Sequence, residues 1–182
     1  LVSHKYKGDR MLSERQQKMV DLLDKHVGAE VEGDLETTMV TMTEEPHLHN
    51  VAVNTGGYGK SGVRDFYRNH LVGKFFPPDM EMERVSLTVD DKQVVDEVII
   101  RFTHTMEMDW MLPLVPPTGK RVEAAFCVVV GFEGEKISHE HIYWDQASVL
   151  VQIGLLDPKG LPVTDASSAR RVLDPSLPAR QL

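Results

Sequence analysis

The sequence predicts an α+β domain, and three observations carry that prediction. Helical spacing of apolar residues dominates the first part of the chain, period-two alternation runs from Met80 to Trp144, and a last amphipathic stretch returns to helical spacing. Helices segregated from a run of long strands argue for an antiparallel sheet covered by helices. A strongly curved sheet with helices over its concave side forms a cone, and a cone surrounds a pocket.

Residues 1–12 are polar and read as a loose segment. Ser13 and Gln16 form a capping box. Met19, Leu22, Leu23, His26 and Val27 then recur at helical spacing, and Gly28 is the expected stop. Asp34 caps a second, short helix reaching about Met42, which Pro46 ends. His47–Asn54 alternates as a strand. His47, His49, Val51 and Val53 share one face, Leu48, Asn50, Ala52 and Asn54 the other, and the mixed character of both leaves the inward face open. A loop over Thr55–Gly59 leads to a third helix capped by Ser61, with Val63, Phe66, Tyr67, His70 and Leu71 on one face. Phe75-Phe76-Pro77-Pro78 breaks the chain. Strands follow at Met80–Val89, Val94–Trp110, Lys120–Phe132 and Lys136–Trp144, separated by turn residues and by a proline-rich loop before Gly119. Gln146–Leu156 is the closing helix. The domain therefore spans 13–156, and 157–182, with four prolines, reads as an extended tail.

A chain of 182 residues suits one domain with a sizeable core. Its net charge of -8, without a basic stripe, argues against nucleic acid and anionic membranes as partners. No apolar run has the length of a membrane helix. Cys127 is the single cysteine, so no internal disulfide forms; its apolar surroundings predict a buried, inert thiol. No signal pattern opens the sequence as given, and the cytoplasm is the default location expected.

Two strands carry the candidate chemistry. On the long strand, alternation puts Phe102, His104, Met106, Met108 and Trp110 on one face, where the apolar side chains would wall a pocket. His104 is the polar group among them, placed to polarise or protonate a carbonyl oxygen. On the last strand His139, His141 and Tyr143 share a face, and Asp145 falls in step with them. Asp145 is the candidate base, which requires a dry pocket. The plain alternative is the N-cap of the closing helix, where aspartate is favoured. His49 is a further candidate for the pocket. Glu140 and Glu107 read as surface or cross-strand pairing groups. The pairs His47/His49 and His139/His141 have same-face strand spacing, and imidazoles with a carboxylate suit zinc or iron. A metal site needs these pairs to meet in space. Gly59-Lys60-Ser61 lacks the glycine a phosphate loop needs five residues earlier, where Asn54 stands, so nucleotide binding is not expected.

Three segments together resemble the SnoaL-like branch of the NTF2-like superfamily. They are Ser61-Gly62-Val63-Arg64-Asp65-Phe66-Tyr67, Pro116-Pro117-Thr118-Gly119-Lys120-Arg121-Val122, and Gly134-Glu135-Lys136-Ile137 leading to Tyr143-Trp144-Asp145 and Val151-Gln152-Ile153-Gly154-Leu155-Leu156. The resemblance implies a cone-shaped α+β barrel with a deep apolar pocket, often a homodimer. It implies acid–base chemistry without metal or cofactor: aldol cyclisation of a polyketide ester, isomerisation or dehydration of a small carbonyl or lactone-type molecule. Relatives on the same fold include ketosteroid isomerases, dehydratases, epoxide hydrolases and also non-catalytic binding modules, and a binding module is the alternative expectation. By position, Asp145 matches the cyclases' acid/base aspartate. The expected site is Asp145 with His104 and His141 as catalytic groups, and Trp110, Met106, Met108, Phe102, Tyr143 and His49 around the ligand.

Overall fold

The computed structural model describes residues 11–181. Most of the segment expected to be loose, residues 1–12, lies outside them. Helix α1 spans Glu14–Glu32 and opens with the capping box: Ser13 accepts from the Gln16 amide, and Gln16 accepts from the Ser13 amide. It does not stop at Gly28. A glycine inside a helix costs only about 1 kcal/mol, and the buried stripe Met19, Leu23, His26, Ala29 carries the helix past it to Gly33, which ends it at φ 72°. Helix α2 (Leu35–Val40) is capped by Asp34, as expected.

Strand β1 covers Met42–Asn50 and β2 covers Thr55–Tyr58. Pro46 lies inside β1 rather than before it. The ladder from β1 to its parallel neighbour, the strand Lys136–Trp144, is irregular between Met42 and His47, so the missing N–H of Pro46 leaves no regular bond unmade. The expected loop over 55–59 is largely strand, because Asn54 at φ 55° turns the chain back onto β1. Gly56 passes so close to β1 that a Cβ there would sit 1.9 Å from the Leu48 carbonyl oxygen. Helix α3 (Gly59–Phe66) begins after Tyr58, with Ser61 within its first turn rather than at its cap, and continues into a π-helical turn over Tyr67–Leu71.

Four long strands follow: β3 (Glu81–Val89), β4 (Gln93–Thr103), β5 (Arg121–Glu133) and β6 (Lys136–Trp144). They join the first two in one curved, unclosed sheet of order β2-β1-β6-β5-β4-β3. Neighbours are antiparallel except β1 and β6, which run parallel. The inner face of the sheet, with Leu48, Val98, Ile100, Phe102, Val122, Phe126, Val130 and Trp144, shares one core with Met19 and Leu23 of α1 and Val63 and Phe66 of α3.

The expected strand through Trp110 ends at Thr103. Residues 104–119 form a loop that folds back into the core, so Met106, Met108 and Trp110 are not strand residues. Met108, Met111 and Leu112 are fully buried. The Met108 carbonyl accepts from the amides of Met111 and Leu112, and the Trp110 indole donates to the Phe75 carbonyl at 2.8 Å. The closing helix α4 is shorter than expected, Gln146–Gln152. The tail is not simply extended: it contains α5 (Ser167–Leu173), which packs on β5. Ala169 is buried there, and Arg170 donates to Glu123 at 2.8 Å.

Candidate functional site

The structure does not bring Asp145, His104 and His141 together. Asp145 is exposed and caps α4, its carboxylate accepting from the Ser148 amide at 3.1 Å. That is the plain alternative weighed for it. His104 lies just beyond β4, wholly buried. Its Nδ1 accepts from the Thr118 amide at 3.3 Å, which leaves the proton on Nε2, a buried atom with no hydrogen-bond partner. Burial holds His104 below the ordinary imidazole range, so the ring is neutral.

His141, Tyr143 and His49 lie on the outer face of the sheet. Alternate residues of a strand point to opposite faces, and the inner face of β6 belongs to Glu140, Ile142 and Trp144. His49 is paired beside His141, and its Nε2 donates to Asn54 Oδ1 at 3.2 Å. Tyr143 is exposed. The expected ligand wall is instead packed core. Trp110 meets Phe75, Phe76, Phe126 and Trp144 with ring centroids 5.2–6.5 Å apart, and Phe76 meets Phe102 at 5.5 Å. Phe102 and Met108 have no exposed surface; Met106 is half-buried. Cys127 is half-buried rather than buried, and burial raises its thiol pKa, consistent with an inert side chain.

The chemistry-bearing cluster of the inner face is one that sequence reading missed. Glu140, expected at the surface, is buried and meets His26 and Glu30 of α1 and Tyr67 of the π-helical turn. His26 Nε2 lies 3.3 Å from Glu140 Oε2, 3.3 Å from Glu30 Oε1 and 3.2 Å from the Tyr67 hydroxyl. Tyr67 donates to Glu140 Oε2 at 3.0 Å. On the other side of the ring, Thr41 donates its hydroxyl proton to the Thr38 carbonyl, so it must accept from His26 Nδ1–H at 2.6 Å. Nδ1 is thereby fixed as a donor, and Nε2 faces two carboxylates.

The electrostatics follow from burial and from this geometry. Burial pushes His26 down, but the carboxylates of Glu140 and Glu30 outweigh it and raise its pKa to about 10. Burial pushes Glu140 up; the His26 charge and hydrogen bonds from His26 and Tyr67 overcome that and leave it below the ordinary range. Glu30 goes the other way, raised by burial and by the Glu140 charge against the pull of His26. Burial and both carboxylates hold the Tyr67 phenol protonated, well above its usual range. The cluster therefore has an imidazolium against one ionised carboxylate, beside a carboxyl that retains its proton more readily. Two carboxyl groups with diverging affinities for a proton suit an acid and a base. His26, Glu30 and Glu140 are also the group among the described residues whose donor atoms lie within 4.8 Å of one another, a spacing that could hold an ion.

Along the inner face from Glu140 stand Ile142 and, paired with it on β5, Val128. Both are half-exposed, while Leu48, Phe126, Val130 and Trp144 around them are buried. Asn50, beside Ile142 on β1, is buried with an unpartnered Oδ1. Two partly exposed apolar side chains thus stand between the ionisable cluster and the aromatic cluster, beside an unsatisfied acceptor. Two clefts of about 780 and 320 Å³ lie elsewhere, between α1 and the β5–β6 turn and beside α5.

The family model described as SnoaL-like polyketide cyclase matches residues 20–153, most of the chain and all six strands. The chain belongs to the SnoaL-like polyketide cyclase family. Solved structures share its NTF2-like fold. A SnoaL-like protein from Jannaschia sp. CCS1 is 16% identical, with a TM-score of 0.65 over 81% of this chain and 99% of its own. AclR from Streptomyces galilaeus is 18% identical, with a TM-score of 0.58 over 78% of this chain and 88% of its own. SalBIII, an epoxide hydrolase/cyclase-like enzyme with a role in pyran ring formation in salinomycin, is 19% identical, with a TM-score of 0.53 over 71% and 92%. No curated protein matches the sequence. At these identities the structural likenesses speak for the fold alone. Among the described residues of this SnoaL-like chain, no helix is long and apolar enough to cross a membrane.

Proposed function

We propose that this SnoaL-like protein acts on a small, largely apolar carbonyl or lactone-type molecule by side-chain acid–base chemistry: isomerisation, aldol closure or dehydration. The observation that carries the reading is the buried inner-face cluster of His26, Glu30, Tyr67 and Glu140. Four ionisable groups removed from water are an expensive way to fill a core, and such groups concentrate at functional sites. In this reading Glu140 accepts a proton alpha to the carbonyl, Tyr67 or Glu30 supplies one to the developing oxyanion, and His26 holds Glu140 ionised. The unpartnered Nε2–H of His104 and Oδ1 of Asn50 add a buried donor and a buried acceptor to the same side of the sheet. Ring closure by the SalBIII enzyme on this fold supports the reaction class as an analogy.

A non-catalytic binding module is the second reading, favoured by the capping role of Asp145 and by the packed state of Phe102, Met108 and Trp110. Loss of alpha protons from a panel of small apolar ketones and lactones in D₂O, followed by proton NMR, separates the two. The catalytic reading expects accelerated exchange that falls by about 10²–10⁴-fold in Glu140→Gln, the range for a general base. Ligands that bind without any acceleration would leave the binding module. The homodimer expected from the family resemblance belongs to the same proposal, and sedimentation velocity tests it.

A further inference from the structure

The two His-x-His pairs, 92 residues apart in sequence, meet on the outer face of the sheet. β1 and β6 run parallel in register, so His47 lies beside His139 and His49 beside His141. The four rings form one patch. His47 stacks on His139 with centroids 5.0 Å apart and planes 9° from parallel, His141 lies 5.0 Å from His47 and 4.8 Å from His139, and His49 stands edge-on to His141 at 6.3 Å. His47 Nε2 and His141 Nε2 are 2.9 Å apart. Two imidazole nitrogens at that distance share at most one proton.

Neighbouring groups fit these rings to their places. The Asn54 amide oxygen only accepts, so His49 Nε2 carries its proton and His49 Nδ1 the lone pair. Ser138 Oγ lies 3.2 Å from His139 Nδ1, which leaves His139 Nε2 free. The His139 ring packs against Gly131, where a Cβ would come 2.0 Å from its Cε1. Among the described residues no carboxylate is ion-paired with any of the four. Half of the chain's eight histidines therefore converge, half-buried, with no ion-paired carboxylate among the described residues.

We propose that this patch is a site for a borderline divalent transition ion such as Zn²⁺, bound through His47 Nε2 and His141 Nε2, with His139 as third ligand. Imidazole is a preferred donor for such ions. Two zinc–nitrogen bonds of about 2.0–2.1 Å at the tetrahedral angle hold their nitrogens about 3.3 Å apart, so the observed pair has to open by only roughly 0.4 Å. His139 has to leave its stack on His47 to present Nε2, a ring movement that its half-buried position permits. The site is separate from the proposed proton-handling cluster: Glu140 points inward between His139 and His141, which point outward. The competing set is His26, Glu30 and Glu140, whose donors lie closer together but are already paired with one another.

Calorimetric titration of the full chain with zinc chloride, together with NMR of the imidazole resonances, tests the assignment. The expected result is saturable binding of one ion per chain that moves the His47, His139 and His141 signals. Affinity should fall by at least about tenfold in His47→Ala and in His141→Ala and stay unchanged in Glu30→Gln. Circular dichroism checks that each variant is folded, and the wild-type NMR map is independent of the variants. Absence of saturable binding up to millimolar zinc overturns the proposal. So does binding that survives both histidine substitutions, or binding that Glu30→Gln abolishes while the His26 signals move.

Discussion

Replacing Glu140 by glutamine keeps the shape of a buried side chain and removes its charge. Each pH unit is worth about 1.4 kcal/mol, so the rise of His26 from 6.5 to about 10 represents roughly 5 kcal/mol of preference for the imidazolium. Glu140 is the larger source of that preference and Glu30 the smaller, both 3.3 Å from Nε2. With Glu140 neutral, one cause of the raised Glu30 pKa disappears, and Glu30 ionises against His26 in its place. The expected loss of stability is therefore about 3 kcal/mol, at the lower end for breaking a buried pair. Substituting Glu30→Gln as well removes the substitute, so the double variant loses more and its His26 becomes neutral, because burial alone lowers an imidazole. Urea unfolding followed by tryptophan fluorescence is the assay, since Trp110 and Trp144 are both buried. A Glu140→Gln loss below about 0.5 kcal/mol, the scale of a surface substitution, would refute the buried ion pair.

The same cluster sets a pH dependence. The folded His26 value lies above its unfolded value, so its contribution is complete below about 6.5 and is lost as pH rises through about 10. The thermal midpoint should fall across that window, and a flat profile to pH 10 contradicts it. Asp145→Ala should lose about 1 kcal/mol, the worth of an N-cap, with Asp145→Asn near neutral. Neither should change proton exchange; a large loss of exchange in a folded Asp145→Asn would return that residue to the active site. Gly56→Ala should destabilise by more than about 2 kcal/mol, because its φ of 139° and the Leu48 carbonyl both oppose a Cβ; a change in the urea midpoint too small for that loss counts against the β1–β2 geometry.

Local signals in the sequence located most elements, because caps and periodicity are local physics. Ser13 with Gln16, Asp34, and the alternation of β5 and β6 needed no tertiary information. The sheet partners of β1 did: nothing within nine residues says that a strand will lie parallel to another some ninety residues later. The alternation through Met106, Met108 and Trp110 misled, because apolar spacing reports burial, and a loop folded into the core buries the same side chains as a strand. The missed cluster had a readable trace. His26 stands in the apolar stripe of α1, and Glu140 shares its strand face with Ile142 and Trp144. Each looks like an isolated polar residue until α1 is laid against β6. Asp145 misled for the opposite reason: a cap and a catalytic base use the same residue at the same strand–helix junction, and only exposure distinguishes them.

The proposed chemistry at Glu140 depends on a charged His26, held on the inner face by the Glu140 carboxylate with Glu30 beside it. An NMR titration of the His26 ring carbons and nitrogens in the intact protein tests it most directly. The expected result is an imidazolium that persists through neutral pH and loses its proton near 10. A ring that titrates at or below 6.5, or is neutral throughout, would contradict it and remove the basis for proton transfer at Glu140.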